Sequence, residues 1–226
     1  MAELNLRLGI FGGTFDPVHR GHLQIATIAC ELASLDQVHF VTSVNPPHKT
    51  AKTHANFLDR HAMVALALKG LQRFVPSSIE ADRPGKSYSI DTLRYFKRCA
   101  GVKGKLFFII GLDAFLEIES WKDYEQFPSL CSFLVFARPG FRAEKLGGEF
   151  PQQLSWKFLN TRRVLHKKNS LDHGMYLVRR SSSSISSTEI RQRVQRGLSI
   201  TRSVPKGVQD YIEKVGLYQC PSLRGG

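Results

Sequence analysis

Two kinds of segment recur along the chain: short continuous apolar runs, and longer stretches in which apolar residues return every three or four positions. The runs at about 6–11, 38–41, 105–111, 133–136 and 175–178 read as strands buried on both faces. A further strand is expected near 77–81. Helical spacing appears over about 22–34, with Leu23, Ala26, Ile28, Ala29 and Leu32 on one face, and over about 57–71 behind Asn56 as N-cap, with Arg60 in the first turn. It returns at Ile90, Leu93, Phe96 and Ala100, where Ser87 or Ser89 is the expected cap. Ser186 and Glu189 fit a capping box ahead of another helix, and Pro205 opens the last, which carries Val208, Tyr211, Ile212 and Val215. Strands alternating with helices predict an α/β fold, a Rossmann-like doubly wound parallel sheet with a small C-terminal helical part. One domain over 1–226 is expected, with 141–173 as a basic surface insertion and 219–226 as a loose tail.

Chemistry concentrates where the first strand meets the first helix: Gly12-Gly13-Thr14-Phe15-Asp16-Pro17-Val18-His19-Arg20-Gly21-His22. A strand, a glycine loop and a helix N-terminus are the arrangement that cradles phosphate. Gly12 and Gly13 let backbone approach an anion closely. His19 and His22 stand three residues apart at the junction, a spacing that lets both aim ring N–H groups at the same bound oxygens. A plain tight turn with surface histidines is the bland alternative, and a metal pair lacks a third ligand at standard spacing. Neither G-x-G-x-x-G nor G-x-x-x-x-G-K-[ST] is present.

Composition narrows the picture. The formal net charge of +13 fits either nucleic acid or polyphosphate substrates. The absence of an RNA-recognition motif, zinc-knuckle spacing or aromatic–basic stripe disfavours the first. No apolar run reaches membrane-span length, and Met-Ala-Glu-Leu-Asn has no signal-peptide pattern. Cys30, Cys99, Cys131 and Cys220 form no C-x-x-C, so buried reduced thiols in a cytoplasmic protein are expected.

Further motifs follow in order. Asn45-Pro46-Pro47-His48-Lys49 is a stiff loop whose last two residues read as a solvated tip or a phosphate clamp. Gly111-Leu112-Asp113 ends the clearest strand, where an Asp serves either ribose hydroxyls or the next helix as N-cap. Arg191 lies one turn into the helix capped by Ser186, fitting ordinary helix chemistry or a second phosphate-facing N-terminus.

Together, Gly12–His22, Pro46–Lys49, Ser87–Leu93, Ile110–Asp113 with Trp121, Ala137–Gly140, Ile185–Arg191, and Val204-Pro205 with Tyr211-Ile212 and Leu217-Tyr218 resemble the bacterial nicotinate-nucleotide adenylyltransferases of the HxGH nucleotidyltransferase superfamily. The resemblance spans about 6–218; it departs at Ser89, where Thr is commoner, and in the long basic stretch 141–173. It implies adenylyl transfer from ATP to nicotinate mononucleotide, giving deamido-NAD and pyrophosphate, with Mg2+ carried by phosphates and water and no metal-ligating residues. It implies an ATP-phosphate cradle of Gly12, Gly13, Thr14, Phe15, His19 and His22, closed by Ser187, Thr188 and Arg191. Gly111 and Asp113 would hold the adenosine ribose, Lys49 and Arg138 the phosphates, and Ser87, Tyr88, Ser89 and Trp121 the nicotinate end. His19, His22 and Arg191 would act on the reacting phosphates. A homo-oligomer is compatible with this reading and a nucleic-acid partner is not expected. Pantetheine-phosphate adenylyltransferase and glycerol-phosphate cytidylyltransferase stand as alternatives within the superfamily.

Overall fold

Six parallel strands in the order β3-β2-β1-β4-β5-β6 form one sheet: β1 Arg7–Gly13, β2 Gln37–Thr42, β3 Phe74–Ser77, β4 Lys105–Gly111, β5 Ser132–Phe136 and β6 Met175–Val178. The computed structural model describes residues 6–44, 53–83, 85–100, 104–137, 174–178 and 185–219. Helices are α1 Arg20–Ala33, α2 Phe57–Leu68, α3 Ser89–Cys99, α4 Leu112–Leu116, α5 Phe127–Leu130, α6 Ser187–Gln195 and α7 Lys206–Val215. The chain winds outward from β1 through β2 to β3, then from β4 through β5 to β6. The crevice between the carboxyl ends of β1 and β4 is therefore the topological switch point, where such sheets bind ligands.

The continuous apolar runs have a simple cause: both sheet faces are covered. Phe11, Val38, Phe40, Phe107, Ile109, Leu134, Phe136, Tyr176 and Val178 pack with residues of α1, α2, α6 and α7. The intervening positions Leu8, Ile10, Val41, Leu106, Phe108, Ile110, Phe133, Val135, Met175 and Leu177 pack with those of α3, α4 and α5. Period-two alternation thus sorts side chains between two apolar cores, and no polar face remains to be read from the sequence.

The doubly wound parallel sheet expected from the sequence is what forms, with adjustments at its edges. β3 lies at 74–77 rather than 77–81, because its register runs from Val38↔Phe74 to Val41↔Ser77. Pro76 is tolerated there because β3 is an edge strand. α1 begins two residues early, at Arg20, with His19 as N-cap, and α2 ends at Leu68. Asn56 does cap α2, accepting from Asp59 N–H at 2.9 Å. Neither serine caps α3: Tyr88 is the N-cap, Ser89 is the first helical residue, and Ser87 Oγ donates to Glu80 O at 3.1 Å. Val215 is 45% exposed, off the apolar face expected for it. Cys30 and Cys131 are buried thiols, but Cys99 is exposed at the end of α3. Cys220, the 141–173 stretch and 220–226 lie outside the described residues. No helix among the described residues is long and apolar enough to cross a membrane.

Gly9, in the middle of β1, allows the helical layer to close on the sheet. A Cβ there would lie 2.8 Å from Leu35 Cδ1, 3.0 Å from Val38 Cγ2 and 3.1 Å from Ile109 Cδ1. Gly9→Ala is expected to overpack this site and lower stability by about 1–3 kcal/mol. The check is a urea titration with a lower midpoint and an unchanged m-value.

Candidate active site

The glycine loop is an extension of β1. Gly12 and Gly13 still pair with Val41 and Thr42 of β2, and the turn proper runs from Thr14 to His19. A Cβ on Gly13 would meet the Phe15 ring at 2.8 Å, so the glycine is required by the ring folded over it. A Cβ on Gly12 would reach only Phe108, at 3.9 Å, so this exposed position is open for close approach. Phe15 takes a left-handed backbone, φ 50°, and buries its ring against Phe11 and His22. Its side chain is core, so its backbone is the part suited to meet a ligand.

Two buried charged residues hold this turn. Arg60, 1% exposed, donates from one guanidinium nitrogen to Thr14 O and Ser43 O, each at 2.7 Å, and from Nε to Ala55 O at 3.2 Å. Burial lowers its pKa and the Asp16 charge opposes that shift; a guanidinium nevertheless stays charged. Asp16, 5% exposed, accepts from His54 N–H at 2.7 Å, Ala55 N–H at 3.2 Å and the Tyr218 hydroxyl at 2.7 Å. Its main-chain carbonyl accepts from Arg191 at 2.7 Å. The sequence reading missed Asp16 and Tyr218 in these roles. Arg60 did leave a signal: it occupies the same face as Met63, Val64 and Ala67, the one charged member of a buried stripe.

The histidines lie against each other. Their rings stack with centroids 3.7 Å apart, and the His19 main-chain N–H donates to His22 Nδ1 at 3.2 Å. Because Nδ1 accepts, a neutral His22 carries its proton on Nε2, the nitrogen that can donate to a ligand. His19 is 7% exposed, and burial pushes its pKa down to about 4, so it is neutral at pH 7. Gly21 explains the spacing between them: a Cβ there would sit 3.0 Å from His19 Nδ1.

From the far end of the chain, α6 presents its own N-terminus to the same turn. Ser186 Oγ caps it by accepting from Glu189 N–H at 3.1 Å. Ser187 Oγ, 170 residues from its partner, donates to Pro17 O at 2.9 Å. Arg191 reaches Asp16 O while a second guanidinium nitrogen donates to Thr188 Oγ1 at 3.2 Å. The fold therefore gathers His19, His22, Ser187, Thr188 and Arg191 around residues 16–19.

Gly111 is exposed at the end of β4, with open space where its Cβ would be. It is the N-cap of α4, and Asp113 is an exposed residue in that helix's first turn, so Asp113 does not cap it. Trp121 is half-buried and packs edge-on to Phe108 and Phe127, on the α3 side of the sheet. Tyr88 lies beneath Lys122 Nζ, 4.6 Å from the ring centroid. Asp91, in the first turn of α3, is paired with Arg94 at 3.1 Å and Lys122 at 3.6 Å. Lys49 and Arg138 lie outside the described residues. Among the described residues no group of three or more His, Cys, Asp or Glu side chains gathers to hold a metal.

A cytidylyltransferase-like family model matches residues 10–193. A protein of Thermoanaerobacter sp. named probable nicotinate-nucleotide adenylyltransferase is 40% identical, with 96% of each chain covered. One of the same name from Thermus thermophilus is 39% identical over 95% of this chain and 100% of its own. The solved nicotinic acid mononucleotide adenylyltransferase of Plasmodium falciparum, complexed with NaAD, superposes with a TM-score of 0.70 at 20% identity, covering 94% of this chain and 97% of its own. That last likeness speaks for the fold.

The buried His19 has a pH signature. Below its unfolded pKa of about 6.5 the unfolded chain takes up a proton that the folded chain refuses until about pH 4. The unfolded state then binds more protons, so stability falls as pH drops through that window, by up to ~3 kcal/mol. Burial lowers His39 and His61 as well, so they add to the same slope. His19→Asn is expected to flatten the fall in Tm between pH 6.5 and 4.5, which calorimetry at stepped pH would measure. An unchanged slope would mean that His19 is not buried neutral.

Proposed function

This chain belongs to the nicotinate-nucleotide adenylyltransferases within the cytidylyltransferase-like family, and on that premise we infer how its residues carry the reaction. The enzyme transfers the adenylyl group of ATP to nicotinate mononucleotide, forming deamido-NAD and pyrophosphate in NAD biosynthesis. A mononucleotide phosphate oxygen attacks the ATP α-phosphorus in line; that P–O bond forms as the bond to the β-phosphate bridging oxygen breaks, and pyrophosphate leaves with the electron pair. The attacking phosphate has a second pKa near ~6 and is already anionic at neutral pH, so no general base is needed. Alignment and neutralisation of growing charge remain for the protein to supply.

The observation that carries the site assignment is the meeting of two helix N-termini at one turn. His19 and His22 begin α1, and Ser187 and Arg191 begin α6, with hydrogen bonds from α6 to Asp16 O and Pro17 O holding them there. Helix N-termini favour anions through unpaired N–H groups and the helix dipole. In this reading Gly12, Gly13, Thr14 and the Phe15 backbone line the phosphates, the His22 Nε2–H and Arg191 donate to them, and Ser187 and Thr188 close the cradle. Gly111 and Asp113, across the switch point, hold the adenosine ribose. Lys49 and Arg138 assist the phosphates. Mg2+ suits this donor set only as part of its substrate: N–H groups and a guanidinium take phosphate, whereas the ion takes oxygen. Carried on the ATP phosphates, such an ion would supply charge neutralisation for the departing pyrophosphate. We place the enzyme in the cytoplasm.

The acceptor end lies at α3 and Trp121. The α3 N-terminus offers N–H groups to the nicotinate carboxylate, and Trp121 offers a ring face for the pyridine. Asp91 would oppose an anion there, but Arg94 and Lys122 both pair with it. An amide in place of the carboxylate sets its own NH2 against those N–H donors, at a cost of roughly 1–3 kcal/mol. This favours nicotinate over nicotinamide, and the ring face of Trp121 favours a pyridine acceptor over the pantetheine and glycerol alternatives.

Two outcomes are expected. kcat/KM for nicotinate mononucleotide should exceed that for nicotinamide mononucleotide by about tenfold or more, measured as dinucleotide formed from ATP; equal values would point to a dual-specificity enzyme. His22→Ala should lower kcat by about 10²–10³ while circular dichroism stays native. A mutant with near-normal kcat would take His22 out of the mechanism.

A further inference from the structure

Tyr218 stands 202 residues beyond Asp16, yet its hydroxyl donates to Asp16 Oδ1 at 2.7 Å. Both residues are buried, 8% and 5% exposed. Burial and the Asp16 charge both raise the Tyr218 pKa, so the phenol is a fixed donor and not a proton-transfer group at working pH. Its aim comes from the end of α7. Gly216 takes φ 69° and closes the helix, with Leu217 N–H donating to Ile212 O at 3.0 Å. Tyr218 then adopts φ 63°, a left-handed backbone that a bulky side chain rarely occupies. Phe15 is also left-handed, at φ 50°. A left-handed residue thus stands at each end of one hydrogen bond: Tyr218 donates it, and Phe15 precedes the Asp16 that accepts it. Such strain persists only where surrounding contacts over-determine the backbone, and it clusters at functional sites.

The Asp16 side chain and main chain face different masters. The carboxylate is set by Tyr218, His54 and Ala55; the carbonyl anchors Arg191. Without the phenol, Oδ1 keeps, among the described residues, the 3.2 Å bond from Ala55 N–H. Any turn of Asp16 would shift the anchor of Arg191 and the backbone leading to His19. Core filling alone would be met by Phe, so the hydroxyl is the part that needs a reason. α7 is itself fixed to α2 by Tyr211, whose hydroxyl donates to Asp59 at 2.9 Å.

We propose that Tyr218 is a positioning residue for adenylyl transfer: through Asp16 it holds the Phe15–His19 turn so that Arg191 and the two histidines meet the ATP phosphates in one arrangement. The proposal rests on the reading of those three residues as the phosphate cradle. Tyr218→Phe is expected to lower kcat about tenfold, the size of a charge-assisted hydrogen bond expressed in the transition state. KM for ATP and for nicotinate mononucleotide should stay within about twofold, because ground-state contacts remain. In a cycle with Asp16→Asn, which gives the phenol a neutral acceptor and sets an NH2 group against the His54 or Ala55 N–H, the kcat losses should not multiply, since both variants weaken the same link.

Steady-state kinetics well below each variant's Tm read these effects apart from stability. A lowered Tm with wild-type kcat would make Tyr218 purely structural and overturn the proposal, as would multiplying losses in the cycle. Should Tyr218→Phe fail to fold, Asp16→Asn carries the same expectation, kcat down about tenfold at a held KM for ATP, and a retained kcat there overturns it. His22→Ala, run alongside, separates the two levels. Near-normal kcat in His22→Ala removes the cradle reading and the proposal with it. A crippled His22→Ala beside a fully active Tyr218→Phe overturns the role of Tyr218 alone.

Discussion

A buried charge tolerates no missing partner, and the architecture of the site follows from that rule at Asp16 and Arg60. Each is withdrawn from water, and each spends its hydrogen bonds on another segment of the chain. Arg60 ties the end of β1, the residue after β2 and the residue before Asn56. Asp16 ties the turn to residues 54–55, and to the chain's far end through Tyr218 and Arg191. The glycine loop, anchored in the core by Phe15 and Val18, is thereby also held by polar contacts. Removing one partner would leave the other desolvated and unpaired, which costs far more than an exposed ion pair contributes.

That fixing matters because the reaction asks little of the protein chemically. Nucleophile and leaving group are both phosphates, so rate enhancement comes from donors already in place when charge moves. Beside the full charges of Asp16, Arg60 and Arg191, the turn is lined by groups that carry none or only part of one. His19 is neutral, His22 is held in one tautomer by a main-chain N–H, and two helix termini add partial charge. Oriented donors of this kind add to the guanidinium of Arg191 without placing another buried cation beside Arg60. The net charge of +13 is a property of the whole chain and bears on how anionic substrates are drawn in.

The division between the two substrate ends follows the sheet. Helices α1 and α6 lie on one face, the side we propose for the phosphate cradle; α3 and the Trp121 turn lie on the other, the side we propose for the acceptor. They meet over β1 and β4, where winding reverses. Asp91, in the first turn of α3, is paired with both Arg94 and Lys122, which offsets its charge at the terminus proposed for the nicotinate.

The parallel sheet, the glycine loop with its two histidines, and the caps at Asn56 and Ser186 were legible along the chain, because each is a local pattern: an unbroken apolar run, a short motif, an oxygen three residues before an N–H. The sequence also marked Ser187 and Arg191, though as easily for helix chemistry as for a ligand. Everything set by long-range pairing emerged on folding. β3 moved three residues because its register is set by β2. Ser87 turned from cap to donor because Glu80 O lay within reach, and Asp91 acquired Lys122 from a loop 31 positions later in the chain. The bond from Tyr218 to Asp16 has no local signature at all, since a phenol near a chain end and a carboxylate in a loop are ordinary until folding buries them together.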